Sequence, residues 1–396
     1  MTTLTKIIIA PSRHIFRRRL FSSSAATDVT GEVVDVSKDI RYVHPGDVID
    51  VPYEITVTDT MHDLWQSAFH SQDRIHTSRP FARSILGLQD RVLPFSLALF
   101  LTSSMTHADA AKVQVGFGRV SYLWPAFAGD TFTKRFVVTG IRHTSDRNRS
   151  ILDFSCELIN QRQRLCMTAE KSMLFDFLVA ESSIGRLEPQ KVEQQSFRNH
   201  LLSKASALVG KSQSLTPLRP GQLLLHTMNR ALTLSQMQQL ASLARLTHER
   251  HFDIRKYDPS TELLIPGGCV LGLTLSAASR DLHEILHEEI LSVKYVESVH
   301  PGNLLGAITY VVNVDDNVPG DLETLTVRTI GIKNLDVKRD LDGVELPLEL
   351  FTTPHVLPKD IHQLCKTQCP LLHGKLVVVV DRKIIRQANH HQIFLL

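Results

Sequence analysis

The chain has 396 residues, 43% of them hydrophobic and 21% charged, with glycine (19) and proline (17) near average usage. This excludes disordered, collagen-like and coiled-coil proteins and leaves room for one large or two to three ordinary domains with real cores. The net charge of +3 is unevenly placed: residues 1–24 carry Lys6, Arg13, Arg17, Arg18 and Arg19 and no acid, leaving 39 basic against 41 acidic residues elsewhere.

That leader is Arg-rich, Ser-rich and free of Asp and Glu, which fits an amphipathic mitochondrial presequence and a matrix location. A secretory signal fits less well, because Leu4 to Ala10 precede most of the charges. A flexible lead-in follows over 25–50. Asp59 to Phe69 (DTMHDLWQSAF) has an acidic first turn and Met61, Leu64, Trp65 and Phe69 at helical spacing, predicting a helix. A short loop containing His70 to His76 comes next. Val92 to Met105 is apolar on nearly every side, as only a fully buried helix can be. Val113–Trp124, Thr131–His143, Ser150–Asn160 and Gln163–Phe177 read as strands divided by Gly, Asp and Asn turns.

Over 183–223 the composition shifts to Ser, Gln, Lys and Pro, as in a linker or a loosely packed helical arm. Thr233 to Leu246 is an amphipathic helix, followed by the polar loop THERHFDIRKYDPS. A second apolar helix, Val270 to Leu282, opens after Pro266-Gly267-Gly268. Strands are expected over 290–299, 304–314 and 321–332, then a hairpin around Asp342-Gly343. No apolar run approaches the ~18 to 20 residues of a membrane-spanning helix, so a soluble protein is expected. Cys156, Cys166, Cys269, Cys365 and Cys369 are sparse and odd in number, so reduced thiols are expected.

Helix, polar loop, buried helix and antiparallel strands therefore occur twice, and the turn glycines Gly129 and Gly302 lie 173 apart. The same shift takes Pro94-Phe95 to Gly267-Gly268. Duplication of one α+β unit follows. A curved antiparallel sheet wrapped around a nearly all-apolar helix accommodates each unit, and two copies can pair their sheets edge to edge. The expected division is a leader (1–24), lead-in (25–50), first unit (51–182), linker (183–223), second unit (224–351) and C-terminal extension (352–396).

Several segments resemble the MaoC-like hydratase/dehydratase family. Ser71-Gln-Asp-Arg-Ile-His-Thr-Ser-Arg-Pro-Phe-Ala-Arg83 is similar to its hydratase loop, Asp-x-Asn-Pro-x-His, or Asn-x-x-Arg-Ile-His in the branch with mitochondrial 3-hydroxyacyl-thioester dehydratases. Pro125-Ala-Phe-Ala-Gly-Asp-Thr131 is similar to its P-x-x-x-G-D-T turn, also found in mesaconyl-CoA hydratase-like members, and Asn160-Gln161 to its Asn-Gln turn. The resemblance covers about 50–180 well and 225–350 loosely. It implies a double hot-dog fold, two antiparallel sheets each wrapped around a buried central helix, with no cofactor and no metal. It also implies an acyl-CoA or acyl-carrier-protein thioester as substrate, interconverted between its 2-enoyl and 3-hydroxyacyl forms.

Such a reaction needs a water held between an acceptor and a donor, and donors for the thioester enolate, which a buried helix N-terminus can supply. The resemblance puts the catalytic histidine at His76 and its acidic partner at Ser71, a residue that cannot act as a base at neutral pH; Asp73 is the nearest carboxylate. The substrate-binding helix starts are Pro94-Phe95 in the first unit and the more open Gly267-Gly268 in the second. There, His248, Glu249 and His251 are the acid/base material, with a surface-histidine loop as the commoner meaning of such a pattern.

The alternative is a catalytically inactive descendant serving as a structural subunit or assembly factor of a mitochondrial complex such as the mitoribosome, docking through residues 352–396. Nucleic acid is not an expected partner, because the body carries no basic excess. A hot-dog thioesterase is a third reading. His362, Cys365, Cys369 and His373 read as an amphipathic terminal helix, followed by a strand over Lys375 to Asp381, rather than as a zinc site, and His283, Glu284, His287 and Glu288 as a solvated helix end.

Overall fold

A computed structural model of the chain describes residues 40–51, 53–70, 72–105, 111–188, 196–211, 217–253, 255, 263–315, 317–354 and 357–388. The expected leader, most of the lead-in and Ser71 lie outside these residues. The first copy runs β1 (Val48–Asp50), β2 (Ile55–Thr56), α1 (Asp59–Phe69), α2 (Arg74–Thr77), α3 (Phe95–Ser103), β3 (Ala111–Tyr122), β4 (Thr131–His143), β5 (Ser150–Asn160), β6 (Leu165–Phe175) and β7 (Gly185–Arg186). Helices α4 (Ser196–Ser203) and α5 (Ala205–Leu208) connect it to the second copy. That copy comprises β8 (Leu223–Arg230), α6 (Leu234–Leu243), α7 (Gly267–Leu282), β9 (Ile285–Tyr295), β10 (Leu305–Asp315), β11 (Leu322–Lys333), α8 (Glu349–Thr352), α9 (Pro358–Gln368) and β12 (Leu376–Gln387).

Helix α1 starts where the Thr58 hydroxyl accepts from the Met61 N–H and ends at His70 in the left-handed region, φ 51°. Helix α3 (FSLALFLTS) buries every residue except Ser96. Its C-terminal hydroxyls remain satisfied in the core because Thr102, Ser103 and Ser104 donate to the carbonyls of Ala98, Leu99 and Phe100 at 2.6–2.7 Å. Helix α7 is likewise enclosed along most of its length.

One sheet of twelve strands wraps both helices, its main path in the order β1-β4-β5-β6-β3-β9-β12-β11-β10-β8. The second half of that path is the first read backwards, so β3 corresponds to β9, β4 to β10, β5 to β11 and β6 to β12. The two sheets expected to pair edge to edge are thus joined into one continuous sheet. Antiparallel β3 and β9 join the copies, with Gly116 opposite Lys294 and Ser121 opposite Glu289, which leaves neither strand as an exposed edge. Gly116 permits the approach, since a Cβ there would lie 2.1 Å from the Val293 carbonyl oxygen.

Three further expectations change. Strand β12, within the segment read as an extension, sits between β9 and β11, so the second copy is incomplete without it. Asp342-Gly343 does not close a hairpin. Gly343 turns at φ +70° inside an excursion whose Leu335, Val337, Leu350, Phe351, Ile361, Cys365 and Leu372 bury one face of the sheet around Ile308, Ile330 and Val379. The stripe from His283 to Glu288 is no solvated helix end: α7 stops at Leu282, Glu284 and His287 are buried, and β9 has begun. The linker is also more than a tether, burying Phe197, Leu201, Ala205 and Leu208.

Candidate active site

The loop carrying His76 has become a tie between the two copies. His76 is 7% exposed and its Nδ1–H donates to the Val92 carbonyl at 2.9 Å; burial lowers its pKa to about 4. Asp73 turns to the second copy, its carboxylate accepting from the Ser279 hydroxyl and from the Ile285 N–H at 2.9 Å. Burial raises Asp73 to about 7 against those two bonds. Arg74 pairs with Glu284 through Nε at 2.8 Å and Nη2 at 2.7 Å, and its guanidinium stacks 4.2 Å from the Phe81 ring. Asp73 thus serves the interface.

Pro94 and Phe95 begin α3, where aromatic rings gather. Phe95 packs 6.2 Å from Tyr122, and Phe197 of α4 packs 5.3 Å from Tyr122 and 5.4 Å from His287. The Trp65 indole N–H donates to the Ser96 hydroxyl at 3.0 Å.

The second copy repeats this frame with different side chains. His251 donates from Nδ1–H to the Leu264 carbonyl at 2.7 Å, as His76 does to Val92. The next amide along each chain binds the opposite strand's turn, Leu93 to Ala126 and Ile265 to Val299. Pro266 therefore corresponds to Pro94, Gly267 to Phe95 and His251 to His76, offsets of 172, 172 and 175 rather than a constant 173. A constant shift of 173 takes His76 to Glu249 and so misses the equivalence. Aligning the two prolines, the only residue type shared at both helix starts, is the signal that finds it.

A cavity of about 350 Å³ opens at the N-terminus of α7. Gly267, Gly268 and Pro266 form one end; His248, Arg250 and His251 form a side; Phe100, Ser103, Met105, Val113, Lys171, Met173, Val270 and Tyr295 complete most of the wall. Among the described residues nothing accepts from the amide N–H groups of Gly267 and Gly268, whereas those of Cys269 and Val270 bond Pro266 at 2.8 and 3.0 Å. Two free donors at a helix start suit a developing oxyanion. Burial also lowers His251 to about 4, so at neutral pH its ring is uncharged. With Nδ1–H committed to a carbonyl, Nε2 is the basic nitrogen. His248 is spoken for on both sides: its Nε2–H donates to Ala111 O at 2.6 Å, and its Nδ1 accepts from the Arg250 N–H. No group of three or more His, Cys, Asp or Glu is arranged to hold a metal among the described residues.

Two wrapped helices under one sheet define a double hot-dog protein whose second helix start is open. No protein-family model matches the sequence, and no curated protein matches it either. Solved structures do share the fold. A MaoC domain protein from Chloroflexus aurantiacus is similar over 91% of this chain and all of its own, at 16% identity and a TM-score of 0.70. A Mycobacterium tuberculosis protein described as having a double hot-dog fold is similar over 87% of this chain and 96% of its own, at 16% identity and a TM-score of 0.63. A MaoC-like dehydratase matches over 88% and 100%, at 12% identity and a TM-score of 0.56.

Proposed function

We propose that the protein binds a 2-enoyl or 3-hydroxyacyl thioester, of CoA or an acyl carrier protein, in the α7 cavity and interconverts the two by adding or removing water. The observation that carries this reading is the His251 imidazole, whose Nε2 is the basic nitrogen, in the wall of a cavity that ends at two helix N–H groups with no acceptor among the described residues. In the hydration direction His251 Nε2 takes a proton from water, the hydroxyl adds to C3, and charge moving onto the thioester oxygen is held by the Gly267 and Gly268 amides. The apolar wall receives the acyl chain. MaoC-like dehydratases among the structures sharing the fold support the reaction class.

The test is hydration of crotonyl-CoA, followed by loss of enoyl absorbance, with the full-length chain. His251→Ala is expected to lower kcat/KM by about 10²-fold or more, while His76→Ala leaves it near the starting value. Loss in the His76 variant alone would move the site to the first copy. The second reading, an inactive scaffold in a mitochondrial assembly, draws support from Ser71 and Leu246, which stand five residues before the two histidines where a carboxylate partner is needed. Absence of turnover together with purification in a large particle favours it.

A matrix location remains part of the proposal, resting on the acid-free leader. Residues 1–24 fused to a fluorescent protein should direct it into mitochondria; a cytosolic signal would refute the assignment.

A further inference from the structure

The missing carboxylate leaves water addition one proton-transfer group short, because C2 must gain a proton while the water loses one. The cavity holds a second group able to supply it. Lys171 on β6 is only 6% exposed, yet lines the same cavity as His251 and the α7 glycines. Its ammonium donates to Ser103 O at 2.8 Å, and no carboxylate pairs with it among the described residues. Lys134 on β4 is the contrast: also buried, it donates to Ser104 O and Ala244 O, both at 3.1 Å, and takes no part in the cavity wall. A buried ammonium with one carbonyl acceptor retains N–H bonds to give, whereas capping α3 alone is already served by Lys134.

We propose that Lys171 is the second catalytic group of this cavity, protonating C2 of a bound 2-enoyl thioester as His251 Nε2 accepts the proton of the attacking water. This rests on the thioester reading of the same site. The water O–H bond breaks and C3–O forms; the C2–C3 π pair moves toward the thioester oxygen and returns to C2, which takes a proton from Lys171 Nζ. Lys171 is left as the neutral amine and His251 as the cation, and exchange with solvent restores both. In the dehydration direction the neutral amine removes the C2 proton and the charged His251 protonates the departing hydroxyl.

Burial lowers Lys171 to about 8, opposed by the nearby Cys156 thiol, so near neutrality it is largely charged and gives up its proton more readily than a surface lysine. The other charged or titratable groups around it are Lys134, whose own pKa falls partly through Lys171, His251, which feels the Lys171 charge, and Lys112, His248, Arg250, Tyr295 and Glu297 in the cavity wall.

The experiment is the pH profile of crotonyl-CoA hydration by the full-length protein and three variants. The wild type should lose kcat/KM as pH rises through about 8. Lys171→Met should lower kcat by about 10²-fold with little change in KM. Lys171→Arg keeps the charge but cannot release a proton, so it should lose kcat similarly and flatten the basic limb. Lys134→Met should keep the rate near neutrality and retain a basic limb, displaced to higher pH by loss of the neighbouring charge. Wild-type kcat or an unchanged basic limb in Lys171→Arg overturns the proposal, as does a wild-type profile without a basic limb, a measurement that needs no folded variant. Turnover abolished in His251→Ala but intact in Lys171→Arg refutes this inference alone; no turnover in the wild type refutes the thioester-hydration reading beneath it.

Discussion

His76 and His251 share one local bond, Nδ1–H to a carbonyl just ahead of a buried helix, and differ in what surrounds them. The same loop holds a carboxylate whose energetics can be read from its titration. Asp73 is displaced from 3.8 to about 7 by burial, which corresponds to about 4 kcal/mol against the charged form. A carboxyl whose folded pKa is raised contributes its stability in full below the unfolded pKa, and that contribution fades as pH rises to the folded value. The fold should therefore weaken between pH 4 and 7 on account of this residue. Asp73→Asn mimics the neutral acid: its amide can donate to the Ser279 hydroxyl while its oxygen still accepts from Ile285 N–H. Urea midpoints measured from pH 4 to 8 should fall in the wild type relative to Asp73→Asn, and parallel curves would show the shift to be absent.

At the scale of elements, α3 and α7 occupy equivalent places and end differently. Phe95 and Ser96 begin one; Gly267 and Gly268 begin the other. Gly268 is also a packing requirement, since a Cβ there would approach the Phe100 ring to 2.3 Å. Gly268→Ala should cost roughly 1–3 kcal/mol by overpacking and narrow the cavity mouth, lowering both the thermal midpoint and the affinity for acyl-CoA. A midpoint equal to that of wild type would mean that Phe100 yields freely. Most elements here were legible in the residues alone. Asp59–Phe69, Thr131–His143 and Ser150–Asn160 match the expected spans, because one strong helical face or a run of β-branched and aromatic residues dominates each. Strand β12 was only half seen, as Lys375 to Asp381, and its place between β9 and β11 was hidden because local pattern carries no information about distant partners.

On the scale of the molecule, the copies are held by the β3–β9 pairing and by the bonds of Asp73 and Arg74 to the second copy. Glu284 is 1% exposed in its side chain and Arg74 is its cationic partner, with Gln387 Oε1 at 3.1 Å on the same guanidinium. Removing Arg74 strands a buried carboxylate, so Arg74→Met should cost about 3–5 kcal/mol and be relieved in the double variant with Glu284→Gln. A double variant no more stable than Arg74→Met would show that the ion pair is not what joins these segments.

Duplication, two buried helices and the strand-rich sheet around them were readable without coordinates, because periodicity and the scarcity of polar residues in 92–105 and 270–282 are local properties. Which helix start stays open was decided by tertiary contact. Phe197, far along the chain, packs against the first copy's aromatics, while Phe100 and Tyr295 lie against glycines in the second. The environments of Asp73, His251 and Lys171 have the same cause: a side chain's chemistry is set by burial and by neighbours that folding brings from distant positions in the chain.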